Sequence, residues 1–130
     1  MDKEKSVRTR AIIFYEDKNG YSELFEELIK LSVDAEHSKD ARIQYNQILF
    51  CIEMLKKQGV NLPSNITKHL DGKIWELRPG VNRVLYFYCN NNVYVLLHMF
   101  RKKTQKTPKR EIEKAYKEME DYIERMEELK

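Results

Sequence analysis

Arg78 and Arg83 flank the turn residues Pro79-Gly80 in the segment "ELRPGVNRVLYFY". If those two residues fill the centre of a turn, Glu76 lies opposite Arg83; a loop two residues longer sets Arg78 against Arg83 instead. In both registers the two arginines share a sheet face, because opposed residues and residues two apart point the same way. Neighbouring guanidiniums repel slightly unless an anion sits between them, and their planar, paired donors suit phosphate oxygens. The plainer reading is a solvated tip on which the arginines shield Trp75 and Tyr86. A second cationic feature favours the phosphate. Of the ten residues Arg101 to Arg110, six are Lys or Arg, and no acid appears until Glu111. In a meander, the strand ending at Phe100 leaves the sheet at the end where the antiparallel strand carrying Arg83 begins. Arg83 and Arg101–Lys103 are therefore expected near one another, followed by Lys106 and a helix N-terminus whose unpaired N–H groups add positive potential. Three sources of positive potential on one rim point to a nucleic acid.

Other chemistry-bearing residues offer less. His98 stands among apolar strand residues, the setting of a hydrogen-bonded core histidine more than of a catalytic one. His69 could reach the basic rim, and His37 falls at a helix end. Trp75, Tyr86 and Tyr88 share a strand face and could stack bases, although strand aromatics are more often core. The chain carries no Gly-rich phosphate loop, metal-ligand spacing or nucleophile elbow. The basic region has only Asp71 and Glu76, too few carboxylates for a metal-dependent nuclease. No metal and no cofactor is expected.

The charge is unevenly spread. From Lys68 to Arg110 there are ten Lys or Arg against two acids, a local +8, while the remaining residues carry fourteen against nineteen, or −5. That asymmetry sets a polyanion-facing surface on an acidic body. The 130 residues suit one domain with its own core. No apolar run reaches membrane-spanning length and the first residues lack an apolar signal region, so a cytoplasmic protein without membrane contact is expected. Cys51 and Cys89 fall in periodic segments without metal-type spacing and read as reduced thiols.

These candidates need a scaffold. Residues 1–6 are expected to be a frayed tail. "AIIFYED" (Ala11–Asp17) reads as a strand closed by Asn19-Gly20. Tyr21, Leu24, Phe25, Leu28 and Leu31 follow helical spacing behind a Ser22 cap, and "EHSKD" separates this helix from a second. The second carries Ala41, Tyr45, Ile48, Ile52 and Leu55 and stops at Gly59. After a polar connection (Asn61–Lys68), the segments 73–78, 83–89 and 93–100 form a three-stranded antiparallel meander. Thr107 as cap and Pro108 as first residue open a C-terminal helix striped by Ile112, Ala115, Met119, Ile123 and Met126. The result is an α+β chain of order β-α-α-β-β-β-α, its small sheet packed by two N-terminal helices and a C-terminal one.

The motifs "IWELRPGVNRVLYFY" and "VLLHMFRKKTQKTPKREIEKA" resemble the phage-derived, HigB-like branch of the RelE/ParE toxin superfamily. The likeness is densest from Lys73 to Ala115, and the preceding β-α-α order also fits. It implies the toxin of a type II toxin–antitoxin pair, an endoribonuclease that cuts mRNA in the ribosomal decoding site and arrests growth. Its partner would be a HigA-like helix-turn-helix antitoxin, with operator DNA reached only through that antitoxin.

Cleavage of that kind uses no metal: the ribose 2′-OH attacks its own 3′-phosphate and leaves a cyclic phosphate and a 5′-hydroxyl. Arg78 and Arg83, charged at any working pH, suit the phosphorane. Lys102 and Lys103 complete the expected catalytic set, since neighbouring cations favour release of a lysine proton. Arg101, Lys106, Lys73, Lys109 and Tyr86 are the expected RNA contacts. Relatives often carry a tyrosine or histidine at the start of the last helix, where this chain has Lys109 and Arg110; Lys102, Lys103, Tyr86 and His98 thus compete as proton carrier. The rival readings are a ParE-like gyrase-blocking toxin without nuclease activity and a plain nucleic-acid-binding accessory domain.

Overall fold

A computed structural model of the chain describes residues 10–90 and 92–129. The expected tail at residues 1–6 lies outside the described residues, as does Asn91 between the expected strands 83–89 and 93–100. Strand β1 (Ala11–Phe14) stops three residues before the expected Asp17, where the Asp17 side chain accepts hydrogen bonds from the N–H groups of Asn19 and Tyr21. Helix α1 (Glu23–Asp34) begins as expected at Ser22, whose hydroxyl accepts the Phe25 N–H at 3.1 Å. Ser38 caps α2 (Lys39–Gln58) in the same way through the Ala41 N–H. Gly59 ends it with φ +64° while donating its N–H to the Leu55 carbonyl, a conformation open to glycine without strain.

The sheet has one strand more than the residue pattern suggests. β2 (Thr67–Asp71) is followed by β3 (Ile74–Leu77), β4 (Asn82–Cys89) and β5 (Val93–Arg101), and the spatial order is β1-β5-β4-β3-β2. β1 runs parallel to β5 and the other pairs are antiparallel. The meander is thus four-stranded, and the order is β-α-α-β-β-β-β-α once α3 (Lys109–Glu128) is added. β2 escapes a search for apolar alternation because only Thr67 of "TKHLD" is buried. The strand holds by its ladder to β3, and by the Thr67 hydroxyl, which donates to the Glu76 carbonyl at 2.9 Å.

Helices cover both faces of the sheet. α1 and α2 pack Leu24, Leu28, Ile48 and Leu55 on Leu77, Val84, Tyr86 and Leu96. α3 packs Ala115, Met119 and Tyr122 on Ile74, Leu85, Phe87, Val95 and Leu97. Each fully buried leucine or isoleucine in these layers contributes about 1.5–3 kcal/mol of transfer free energy. β4 and β5 slip register between Leu85↔His98 and Tyr86↔Leu96, which leaves Leu97 as an extra residue. That bulge lets Leu97 and His98 both meet the α3 side.

Candidate nucleic-acid interface

The Leu77↔Val84 pairing makes Arg78 and Arg83 the next opposed pair, so the longer-loop register is the one adopted. Glu76, two residues before Arg78, shares their face and points toward the same space. Its carboxylate is 2% exposed and lies 3.4 Å from Arg78 Nε and 3.9 Å from Arg83 Nε. The anion between the two guanidiniums is a carboxylate of the chain itself.

The arginines differ in setting. Arg83 is only 7% exposed, not at a solvated tip, and its Nη1 donates to the Gly80 and Asn82 carbonyls, both at 2.8 Å. Burial pulls its pKa below the ordinary guanidinium value, while the Glu76 charge opposes the shift. Arg78 is a quarter exposed and donates Nη1 to the Ser64 carbonyl at 3.0 Å. These anchors aim the forks and leave Nη2 of each arginine without a partner among the described residues.

The basic run folds back over this pair. The Lys102 N–H donates to the Val81 carbonyl at 2.7 Å, which pins the chain beside the β3–β4 turn as it leaves β5. The Thr104 hydroxyl donates to the Lys106 carbonyl and tightens the loop. The Thr107 hydroxyl then donates to Glu76 Oε1 at 2.7 Å rather than capping α3. Pro108 takes the cap position without a side-chain bond, so Thr107 is a site residue and not the expected cap. The narrow cleft so formed has a free volume of only about 10 Å³ and is lined by Arg78, Arg83, Lys102, Lys103 and Lys106, five cations around the one carboxylate of Glu76. Its three lysines are exposed and free to meet a phosphate chain.

Other expected site residues stand elsewhere. Arg101 turns to the opposite sheet face and, with Lys30, Asp34 and His37, lines a groove of about 710 Å³ beneath α1 and α2. Lys73 precedes β3 at the far end from the cleft, against Tyr88 and Glu127. Lys109 is exposed in the first turn of α3, next to the cleft wall at Pro108. Tyr86 is 0% exposed inside the α1–α2 core, with its hydroxyl 2.7 Å from Thr67 Oγ1 and its pKa driven up by burial. It has no face to offer a base. His69 packs at a tilt against Trp75 with ring centres 5.1 Å apart, and Tyr88 packs at a tilt against Tyr94 near the far end of β4.

His98 is the core histidine. It is 0% exposed, with Nδ1 2.6 Å from Glu118 Oε1 and Nε2 2.9 Å from Glu111 Oε1. Both ring nitrogens meet carboxylates of α3, and His98 stands apart from the cleft lining, tying the helix that follows the basic loop to β5. Glu76 and Thr107 are the residues that the pattern of cations hides. The pleat alone could have found Glu76, two positions from Arg78.

The arrangement of the strands and helices is the fold of RelE. A chain in the crystal structure of the archaeal RelE–RelB complex from Pyrococcus horikoshii OT3 aligns over 72% of this protein and 96% of its own length, with a TM-score of 0.51 and 16% identity. Residues 34–120 match the family described as phage-derived protein Gp49-like, and the chain belongs to that family. No curated protein sequence matches it. The resemblance read from the hairpin and the basic run thus agrees with both family and fold.

Proposed function

We propose that this protein is the toxin of a toxin–antitoxin pair and acts as a ribosome-dependent, metal-independent mRNA endoribonuclease. The observation that carries the reading is the convergence of Arg78, Arg83, Lys102, Lys103 and Lys106 on one cleft. Membership of a phage-derived family and a RelE-like fold support it. In this reading the scissile phosphate lies on the rim formed by the arginine forks and the lysine loop. The free Nη2 groups meet the non-bridging oxygens as the 2′-OH attacks and negative charge grows on the phosphorane. Loss of one such donor typically costs about 10²–10³ in rate. A lysine takes the 2′-OH proton or returns one to the leaving 5′-oxygen, and the products are a 2′,3′-cyclic phosphate and a 5′-hydroxyl. Glu76 keeps the guanidiniums aligned while the cleft is empty. An antitoxin is the proposed partner in the cell, by analogy with the complex in which the archaeal fold relative was solved, and a helix-turn-helix type is what the resemblance to HigB-like toxins implies.

Incubation with translating ribosomes, followed by mapping of mRNA 5′ ends, tests the proposal. New ends in phase with codons are expected. Absence of such ends together with inhibited DNA supercoiling would instead establish the gyrase-blocking reading, and absence of both would leave a nucleic-acid-binding domain.

A further inference from the structure

We infer that the groove between α2 and the β3–β4 turn seats a nucleobase, on the nucleotide whose phosphate Arg78 holds in the basic cleft. The inference rests on the RNA reading above and extends it from the phosphate to its base. The groove has a volume of about 330 Å³, within the range of small-molecule sites, and is lined by Asn46, Gln47, Phe50, Cys51, Ile66 and Arg78 with the turn residues Pro79-Gly80. Arg78 lines both this groove and the cationic cleft, so the two adjoin at that residue.

The lining matches a base. Phe50 is 56% exposed although α2 buries its opposite side in the core. A bared aromatic ring offers a face on which any base can stack. Ile66 and Pro79 add apolar surface to the same groove. Asn46 and Gln47 bring side-chain amides, which both donate and accept, and among the described residues no hydrogen bond occupies either. No acidic side chain lines the groove, so nothing there repels a phosphate-bearing ligand.

The turn meets α2 at Gly80, whose φ of +60° favours glycine and whose bare Cα packs against the end of the Gln47 side chain. Tyr86, the aromatic first expected to stack, is sealed in the core; Phe50 is the aromatic that remains open next to a cleft cation.

The test compares binding of the full chain, without ribosomes, to two short 2′-O-methyl oligonucleotides that cannot be cleaved, one with bases and one abasic. The wild type is expected to prefer the base-bearing strand by roughly tenfold, the scale of one stacking contact. Phe50→Ala, at an exposed position, should abolish that preference and leave abasic affinity unchanged. Phe50→Trp should retain the preference, and its added indole fluorescence should be quenched by the base-bearing strand alone. Equal wild-type affinity for both strands, or a preference that survives Phe50→Ala, overturns the inference; the second result is also what a protein-docking groove would give. Cleavage plays no part in the measurement, so failure of the nuclease reading shows separately, as missing codon-phased ends on ribosomes.

Discussion

The two arginines of the cleft look equivalent in the sequence and are not equivalent in the fold. Arg78 reaches its carbonyl and carboxylate partners from a quarter-exposed position, whereas Arg83 is buried against Glu76 and two backbone carbonyls. Arg78→Ala should abolish the proposed growth arrest at a modest cost in stability, since a quarter-exposed side chain is lost. Arg83→Ala should abolish it too, at a larger cost on the order of 3 kcal/mol, because it removes a buried guanidinium with two carbonyl bonds as well as its approach to Glu76. Thermal melts of the two variants check the contrast; equal melting temperatures would mean that the Arg83–Glu76 approach carries no stability. The lysines call for a different comparison. If Lys102, Lys103 and Lys106 only attract RNA, Lys→Arg at each keeps the charge and kcat barely moves. If one transfers a proton, its arginine variant loses kcat sharply, because a guanidinium does not release a proton near neutrality. The sharp loss is expected at Lys102 or Lys103, which leave β5 directly; Lys102 is also pinned by its N–H to Val81. Lys106 should behave as a phosphate contact. With His98 and Tyr86 buried away from the cleft, three unaffected variants would move proton transfer to substrate or ribosome groups.

Among the elements, the strands and helices with clear periodicity were legible. The helix stripes, the Ser22 cap, the Gly59 stop and the three strands carrying the cations all stand close to where alternation and turn chemistry put them. β2 was not, since a polar edge strand stabilised by its ladder leaves no apolar trace; the Asp71-Gly72 pair, with Gly72 at φ +51°, was its one turn signal. The gathering of Arg78, Arg83 and the lysine loop was legible because they are tied to strand ends. The separation of Arg101 and Lys73 from them was not, since one step along a strand reverses the face and four residues cross the sheet. The junction of α1 and α3 offers a test of an interaction that no local pattern shows. Glu27 has its pKa raised, first by burial and then by Glu23, with Lys114, His98 and Lys30 opposing. A carboxyl group with a raised folded-state pKa binds its proton more tightly folded than unfolded. Its contribution is therefore favourable below the ordinary carboxylate value and is lost as pH rises through the folded-state value. Glu27→Gln should raise the melting temperature at pH 7, and the gain should vanish near pH 3. An equal gain at both pH values would trace the effect to packing and not to ionisation.

Across the whole molecule, the small net charge of +3 conceals a division between a cationic rim and an acidic remainder. The fold sharpens that division by gathering five cations round one buried carboxylate at the end of the sheet, with α3 following directly behind its lysine loop. Acidic residues of α1 and α3 lie away from the cleft, where Glu23 meets Lys114 and Asp121 meets Arg125. An RNA strand should therefore be oriented by the field before any single contact forms, and its affinity should carry the signature of counterion release. For single strands each neutralised phosphate contributes a slope of about −0.7 to log K against log salt, so three to five contacts predict roughly −2 to −3.5. Removing Lys106 should flatten the slope by about one phosphate's share and weaken all sequences alike. Lys73→Ala, at the far end of the sheet, should leave the slope as it is. Titrations of the wild type and these two variants from low to physiological salt decide the matter. A flat wild-type line would remove the basic cleft as the RNA-contacting surface, and an effect of Lys73 equal to that of Lys106 would spread the contact over the whole sheet instead of its basic end.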